Sequence, residues 1–204
     1  MDSNSATWTV VAAVAACVQA LGILVIVWQI RADHERSRRE KAAELILAWT
    51  RSMTHDMSAA RKLSEHLDEV QNRAINDSRP VDVPKEHLDL IKICLLKHRD
   101  VLPPIDQDAE KITLSAEASS IIRWLLVSYL NTLESIFSAE RHSIADSTMI
   151  QEQFNYLVEE QRGNTCLAKF RSAAGGDTVY PAIADLVMKM KAKKAPPAGK
   201  RRIG

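Results

Sequence analysis

Residues 8–30 of the chain read WTVVAAVAACVQALGILVIVWQI. No Asp, Glu, Lys, Arg or His occurs between Ser3 and Ile30, and 19 of the 23 residues quoted are apolar. As an α-helix with a rise of ~1.5 Å per residue, the stretch would extend about 34 Å, more than the ~30 Å of a bilayer's hydrocarbon core. The sequence therefore predicts one transmembrane helix over residues 8–30.

The residues that border this stretch are typical of a membrane boundary. Trp8 and Trp28 stand near its two ends, where indole rings favour the headgroup region, and Arg31 follows it directly. Five Lys or Arg residues lie within 31–41 and none lies within 1–7. Because cytoplasmic flanks are enriched in basic residues, we expect the N-terminus outside and the C-terminus in the cytoplasm.

Two secretion signals compete with this interpretation. A signal peptide begins with a positively charged segment, which the opening MDSNSATW lacks. Residues 14–17 resemble a lipidation box ending in Cys17, but an acylated cysteine starts a polar chain, whereas here the apolar stretch continues to Ile30. We therefore expect the segment to be a lasting membrane anchor.

Small residues recur every fourth position inside the predicted span. Ala12, Ala16 and Ala20 would share one helix face, and small side chains permit close contact between helices. Gln19 places an amide in the middle of the membrane, where the same residue in a second copy would supply a partner worth ~1 kcal/mol. The pattern indicates self-association, although it also fits a helix that stays alone.

The helix is expected to continue out of the membrane, because residues 31–76 contain neither Pro nor Gly. Apolar residues then follow with alternating spacings of three and four, interrupted only by Asp56. Such a stripe suits a coiled-coil seam or, as we favour, a helix packed in a bundle. Cap-forming residues in 54–58 are a possible break between two helices. The members of the stripe are Ala42, Ile46, Trp49, Met53, Ala60, Leu63, Leu67, Val70 and Ala74.

The remainder of the chain predicts a helical body. A loop is expected at residues 76–84, a helix at 85–98, a break at 102–108, a long helix opened by Ser115, and shorter helices to Met190. The apolar residues within 121–137 do not form a second span, because ionised Arg123 and Glu134 would each cost ~2.5–3.5 kcal/mol inside a bilayer. Arg123, Asn131 and Glu134 instead share a polar helix face, which is either solvated or an interaction surface.

Together these patterns predict an all-α protein with one N-terminal transmembrane helix and a cytosolic bundle of about five helices. We divide the chain into an N-terminal tail (1–7), the transmembrane helix (8–30), a juxtamembrane helix or helix pair (31–76), a cytosolic helical domain (77–188) and a basic disordered tail (189–204).

The net charge of +1 hides a strong asymmetry. Residues 42–188 carry 22 acidic and 15 basic residues, whereas residues 189–204 carry seven basic and no acidic ones. Because Lys and Arg are attracted to an anionic leaflet, both basic ends would lie against one membrane surface. A solubilising tail is the simpler alternative, and a nucleic acid is not the expected partner.

The sequence contains no recognisable catalytic or metal-binding motif. Cys17, Cys94 and Cys166 are scattered without the paired spacing of zinc or redox sites, and the six histidines form no HExxH motif. Phosphate-binding glycine loops and a GxSxG elbow are missing. We therefore predict a protein that is not an enzyme and that binds neither a cofactor nor a metal.

The chain resembles an uncharacterised bacterial family of small membrane-anchored helical proteins. The resemblance is carried by the N-terminal membrane helix, the basic stop followed by an Ala- and Arg-rich helix, and the segment YLNTLE at residues 129–134. It implies an inner-membrane location and an all-helical body, and no catalytic residue comes with it. It also makes Asn131 and Glu134 the first polar positions to test.

Two functions follow from these observations. The favoured one is a non-catalytic bitopic membrane protein that presents a cytosolic helical interaction domain, either self-associating or docking an unidentified cytosolic or membrane protein. The alternative is a membrane-perturbing effector or toxin-like component, such as one used in phage defence. Its support is the small-residue face around Gln19.

Overall fold

The computed structural model describes residues 3–104, 108–158 and 165–194. Within these ranges the chain is mostly helical, which confirms the all-α prediction at that level, and one short two-stranded sheet is added. In the described part of the chain, seven α-helices follow the N-terminal one, more than the five or so expected, because helices of only 6 to 8 residues are too brief to give a periodic signal. The elements are α1 Ser3–Ser52, α2 His55–His66, α3 Glu69–Asn76, β1 Val81–Pro84, α4 Leu88–Cys94, β2 Lys111–Leu114, α5 Ala116–Arg141, α6 Ser147–Val158, α7 Ala168–Ala173 and α8 Pro181–Lys194.

The N-terminal helix α1 is continuous from the predicted span into the body. Its 50 residues would extend about 75 Å at ~1.5 Å per residue. Every described side chain from Val14 to Ser37 is exposed. Among the described residues, this is the one helix long and apolar enough to cross a membrane.

Helix α1 contacts the body within the predicted juxtamembrane helix, from Arg38 onward. Ala42 is fully buried and Trp49 is 5% exposed. The Trp49 ring packs edge to face against Tyr129 of α5 and Phe154 of α6, with centroids 5.3 and 5.5 Å apart. These aromatic contacts fix the end of α1 to the core.

The region predicted as one juxtamembrane helix or helix pair contains the end of α1 and two further helices. The first break lies at Met53 and Thr54, at the start of the predicted break. The second lies at Asp68, which caps α3 in a capping box with Gln71. This second break shifts the register of the apolar stripe, so Val70 is 77% exposed.

A small antiparallel sheet replaces the loop expected at residues 76–84. Val81 of β1 pairs with Leu114 of β2, and Pro84 pairs with Lys111 at the other end. Each strand has only four residues and buries two of them, so the alternation is too short to be read from the sequence. The following helix is also shorter than expected, because α4 ends at Cys94.

Helix α5 forms the centre of the body. It begins where the sequence predicted, since the Ser115 hydroxyl accepts a hydrogen bond from the Ala118 N–H at 3.1 Å. One face of α5 is fully buried and contacts α2, α3 and α8. The fully buried apolar residues of this face include Ile122, Leu126, Leu130, Leu133 and Phe137.

Helices α5 and α6 have defined directions relative to α1. The Asp146 N–H, just before α6, bonds to the Arg38 carbonyl at 3.0 Å, and Phe154 further along α6 meets Trp49. Helix α6 therefore runs parallel to α1, away from the predicted membrane. Helix α5 runs toward it, because Tyr129 lies beside Trp49 and the helix ends at Arg141, five residues before Asp146.

Two predictions extend beyond the described residues. The predicted disordered tail starts at residue 189, but α8 continues to Lys194, because its run of Met, Lys and Ala favours a helix. Residues 195–204 lie outside the described residues, as do residues 105–107 of the break expected at residues 102–108.

Candidate membrane anchor and interaction surface

The predicted anchor residues lie on an exposed apolar surface. The Trp28 side chain is 70% exposed, and Arg31 is exposed directly beyond the apolar stretch. The side chain of Trp8 lies outside the described residues. Soluble monomers rarely expose so large a continuous apolar surface, and such a surface marks an interaction with a protein or a membrane. The large apolar side chains exposed here are Val14, Val18, Leu21, Ile23, Leu24, Val25, Ile26, Val27, Trp28 and Ile30.

The small residues of the predicted self-association face are also uncovered. Ala16, Gln19 and Ala20 are exposed, and an added Cβ at Gly22 would meet nothing within 4 Å. The Gln19 amide has no hydrogen-bond partner among the described residues. The Ala12 side chain lies outside the described residues. Nothing in the described part of the chain therefore obstructs a second helix at this face.

A groove of about 380 Å³ lies between the last turns of α1 and the middle of α5. It forms because small side chains face one another across the two helices next to Trp49. The Ser135 hydroxyl donates to the Asn131 carbonyl at 2.9 Å, and the Thr132 hydroxyl donates to the Ser128 carbonyl at 2.9 Å. The lining residues are Leu45, Ala48, Trp49 and Ser52 of α1 and Asn131, Thr132, Ser135 and Ile136 of α5.

The groove and the small-residue face share one side of α1. Ala16 and Ser52 are separated by ten turns at ~3.6 residues per turn, so they point the same way on a straight helix. At ~100° per residue, the other members fall within about 100° of arc around them. We call this set the α1 association face. Its members are Ala16, Gln19, Ala20, Leu45, Ala48 and Ser52.

The three residues of the predicted polar face on α5 have different surroundings. Asn131 is exposed and lines the groove. Arg123 is exposed and lies outside that groove. Glu134 is engaged within the chain, because its carboxylate accepts hydrogen bonds from the N–H groups of Ala182 at 2.8 Å and Ile183 at 3.0 Å.

Glu134 therefore supplies the N-terminal cap of α8. The first residue of that helix is Pro181, which has no N–H to satisfy, and the preceding Tyr180 has no side chain suited to capping. A negative carboxylate at this end also interacts favourably with the helix dipole. One sequence feature pointed to this contact. No side chain suited to capping stands directly before Pro181, so the acceptor had to come from another part of the chain.

A second carboxylate, Glu140, joins three helices and was not singled out from the sequence. Its side chain is 4% exposed and lies 3.3 Å from Lys189 of α8. It also accepts a hydrogen bond from the Ser147 hydroxyl at 2.7 Å and one from the Gln151 amide at 3.2 Å. Because a buried carboxylate needs such partners, Glu140 fixes the junction of α5, α6 and α8.

The two cysteines of the body are poor nucleophiles. Burial raises the pKa of Cys94 to about 12, and the negative charge of Asp56 adds to the shift. Burial also raises the pKa of Cys166 to about 11, against the opposing effect of the Arg171 guanidinium. Both thiols therefore stay protonated at neutral pH. Within the described residues, no three His, Cys, Asp or Glu side chains are grouped to hold a metal ion.

Comparison with protein-family models, with curated proteins and with solved structures finds no match in any of the three. The resemblance based on the membrane helix and residues 129–134 stays a prediction.

Proposed function

We propose that this chain is a non-catalytic single-span membrane protein whose cytosolic helical body pairs with a second copy along the α1 association face. The observation that supports it best is the continuity of α1. One unbroken helix joins the exposed apolar stretch to Ala42 and Trp49, which are buried in the body. The relative orientation of two spans in the membrane would therefore be transmitted directly to the two bodies.

The proposed pair is parallel and two-fold symmetric. Such an interface is isologous, so each residue near the axis meets its own copy. Gln19 would bond to Gln19 within the membrane, and the alanines beside it allow the two helices to approach closely. Outside the membrane, the Leu45, Ala48 and Ser52 side of one copy would face the same side of the other.

The orientation is proposed from the charges that flank the span. Residues 31–41 carry five basic residues and residues 1–7 carry none, which favours a cytoplasmic body and an outer N-terminus. For a bacterial cell this places the protein in the inner membrane. A partner protein that docks in the groove, rather than a second copy, is the competing outcome of the tests below.

Disulfide crosslinking of the full-length chain in membranes tests the pairing. Leu45→Cys and Leu47→Cys, each in a Cys17→Ser background, form a matched pair on the cytosolic part of α1. Leu45 lies on the α1 association face, whereas Leu47 is 48% exposed and lies about 200° further around the helix. We expect mild oxidation to give a covalent dimer with Leu45→Cys and little with Leu47→Cys. Equal yields, or a dimer only with Leu47→Cys, would overturn the proposal.

Membrane insertion is tested separately on the same chain. The protein should stay with vesicles during alkaline carbonate extraction, and a reporter fused to Gly204 should be active only in the cytoplasm. Release by carbonate would contradict the span, whereas an external reporter would contradict only the orientation.

The exposed Gln19 amide favours one second candidate, a membrane-perturbing effector. An oligomer of more than two helices would line its interior with these amides and admit water. Induced expression should then lower the membrane potential and slow growth, and Gln19→Leu should abolish both effects. Normal growth and potential with the unaltered chain would exclude this candidate.

A further inference from the structure

The connection between α5 and α6 lies beside the first cytosolic turns of α1. The Asp146 N–H bonds to the Arg38 carbonyl at 3.0 Å, and the Asp146 carboxylate lies 4.0 Å from the Arg39 guanidinium. At the tip of this connection, Ile144 is 55% exposed, with exposed His142 and Ser143 before it. A large apolar side chain is thus presented next to the juxtamembrane segment of α1.

Helix α8 ends on the same side of the body. Its first N–H groups bond to Glu134, and Lys189 near its other end lies 3.3 Å from Glu140. Asp185 between them pairs with Arg141 at 3.0 Å. Helix α8 therefore advances in the same direction as α5, toward the membrane that α1 is proposed to cross.

This side of the body is basic, although residues 42–188 carry a net charge of −7. Residues 31–41 contribute a net charge of +2 and residues 181–194 contribute +3 from four lysines and Asp185, whereas residues 140–146 contribute −1 from Glu140, Arg141 and Asp146, so this end stays net positive. The Nε atom of Arg38 is buried without a hydrogen-bond partner among the described residues, and Lys191 is exposed. The fold thus collects positive charge at one end of an acidic body.

The distance from this end to the bilayer follows from the length of α1. Arg38 lies eight residues beyond Ile30, or about 12 Å along the helix at ~1.5 Å per residue. The headgroup layer occupies about 5–7 Å of that distance. The remaining gap is shorter than the Debye length of ~8 Å at physiological ionic strength, so charges here act on the lipid surface.

We propose that this membrane-facing end of the body docks on anionic phospholipid headgroups of the leaflet that α1 crosses. It comprises Arg38, Arg39, Arg141, His142, Ile144 and Lys191. The basic side chains contact lipid phosphates, and Ile144 lies against the headgroup layer beside them. The docking rests on the proposed membrane span, and it holds the body upright against the surface.

The test uses the full-length chain in vesicles and a spin label at Ser143→Cys in a Cys17→Ser background. One set of vesicles is made of phosphatidylcholine, and the other of phosphatidylcholine mixed with phosphatidylglycerol. In the anionic vesicles, we expect the label to become accessible to lipid-soluble oxygen and protected from a water-soluble nickel complex. In the neutral vesicles, and at high salt, it should stay accessible to the nickel complex.

A matched pair of variants separates docking from a general loss of charge. Lys191→Gln with Ile144→Ser removes one cation and the apolar tip, and should weaken docking roughly tenfold or more. Lys92→Gln with Leu96→Ser removes a similar pair from the α4 region, where Leu96 is 53% exposed, and should leave docking unchanged. Equal effects of the two double variants would overturn the proposal.

The same samples distinguish this proposal from the proposed function. If the chain resists carbonate in both vesicle types but the label ignores lipid charge, the docking is wrong while the span stands. If carbonate releases the chain, the span itself is wrong and the docking falls with it. A label that responds to added RNA but not to phosphatidylglycerol also overturns the docking in favour of another polyanion.

Discussion

The carboxylate of Glu134 accepts a hydrogen bond from the N–H of Ala182 at 2.8 Å, across 48 residues of sequence. This bond attaches the last described helix to the central one. The apolar residues of α8 do not form a clear stripe at helical spacing, yet Ile183 and Leu186 are fully buried against the body. Glu134 therefore sets where α8 begins, and the buried side chains set how it lies.

Replacement of Glu134 by Gln should destabilise α8. The variant loses the charge that favours the helix N-terminus and weakens two hydrogen bonds, for a cost of about 1–2 kcal/mol in the free energy of opening that helix. Hydrogen exchange of the full-length chain in detergent should show faster exchange in peptides from 180–190. Glu152→Gln, which alters an exposed carboxylate on α6, should not change exchange there. Equal exchange in the two variants would contradict the capping role.

Local signals predicted the parts of the fold that depend on neighbouring residues. The long apolar helix and the start of α5 at Ser115 are both predicted by residues that lie within those elements or directly beside them. The contacts of Glu134 and Glu140 could not be predicted, because their partners lie on α8 and α6 and are brought together only by folding. The four-residue strands were missed for a related reason, since their stability comes from pairing with each other across an intervening segment that contains α4.

The surroundings of the predicted interaction surface on α5 also depend on parts of the chain that are distant in sequence. Arg123, Asn131 and Glu134 share one helix face, but periodicity alone does not say what covers each position. Helix α8 caps its N-terminus with Glu134, whereas the end of α1 leaves a groove beside Asn131. The position of α1 along α5 is fixed by Trp49 and Tyr129, a contact that no local pattern reveals.

Trp49 should be the residue that couples α1 to the body most strongly. Trp49→Ala removes a side chain that is 5% exposed and contacts two aromatic rings, and we expect a loss of about 3–5 kcal/mol in the free energy of unfolding. Denaturant titration of the body in detergent measures this loss. Trp124→Ala is the matched control, because Trp124 is 65% exposed on α5 and should change the midpoint little. Similar losses in both variants would contradict the proposed coupling.

The cysteines should report both burial and insertion. In intact vesicles, we expect a membrane-impermeant maleimide to label none of the three. Cys94 and Cys166 are buried and, with pKa values of about 12 and 11, remain protonated at neutral pH, whereas Cys17 would lie in lipid.

Ser37→Cys, on an exposed turn of α1 beyond the proposed span, provides the positive control, because the proposed orientation makes it accessible in inside-out vesicles. All four thiols should react once sodium dodecyl sulfate has dissolved the bilayer and unfolded the protein. Rapid labelling of Cys17 in vesicles would contradict the span, and rapid labelling of Cys94 would contradict its burial.

Asp56 should make the body sensitive to acid. Burial alone would raise the pKa of this carboxyl, but hydrogen bonds from Thr54, Lys97 and the Met57 N–H outweigh it, and the pKa lies below its ordinary value of 3.8. Because the folded pKa is the lower one, the stabilisation is complete above pH 3.8 and is lost as the pH falls through the folded value. The Lys97 Nζ lies 3.0 Å from this carboxylate.

Asp56→Asn should therefore lower stability at neutral pH by about 1–2 kcal/mol and flatten the loss below pH 3.8. Unfolding midpoints recorded across this pH range measure the effect. Asp89→Asn removes a carboxylate that is 92% exposed and should leave the profile as it is. A profile for Asp56→Asn that matches the unaltered chain would show that the ion pair contributes nothing in solution.

The groove between α1 and α5 is the place where pairing should be easiest to block. Ser135 is exposed and lines the groove, so Ser135→Trp would fill it without a change in the buried face of α5. If two copies meet along the α1 association face, this variant should reduce crosslinking through Leu45→Cys, because the indole would hold the α1 helices of the two copies apart. Quantitative gel analysis after oxidation in membranes measures the yield.

Arg123→Trp places the same side chain on the same helix outside that groove, and it should leave the yield unchanged. Reduced crosslinking with both variants would instead assign the contact to a broad face of α5. Reduced crosslinking with Arg123→Trp alone would move the interface away from α1 altogether. Ser135→Trp and Arg123→Trp both leave Gln19 and the alanines of the span unchanged. A dimer that survives Ser135→Trp but not Gln19→Leu would therefore confine the pairing to the membrane.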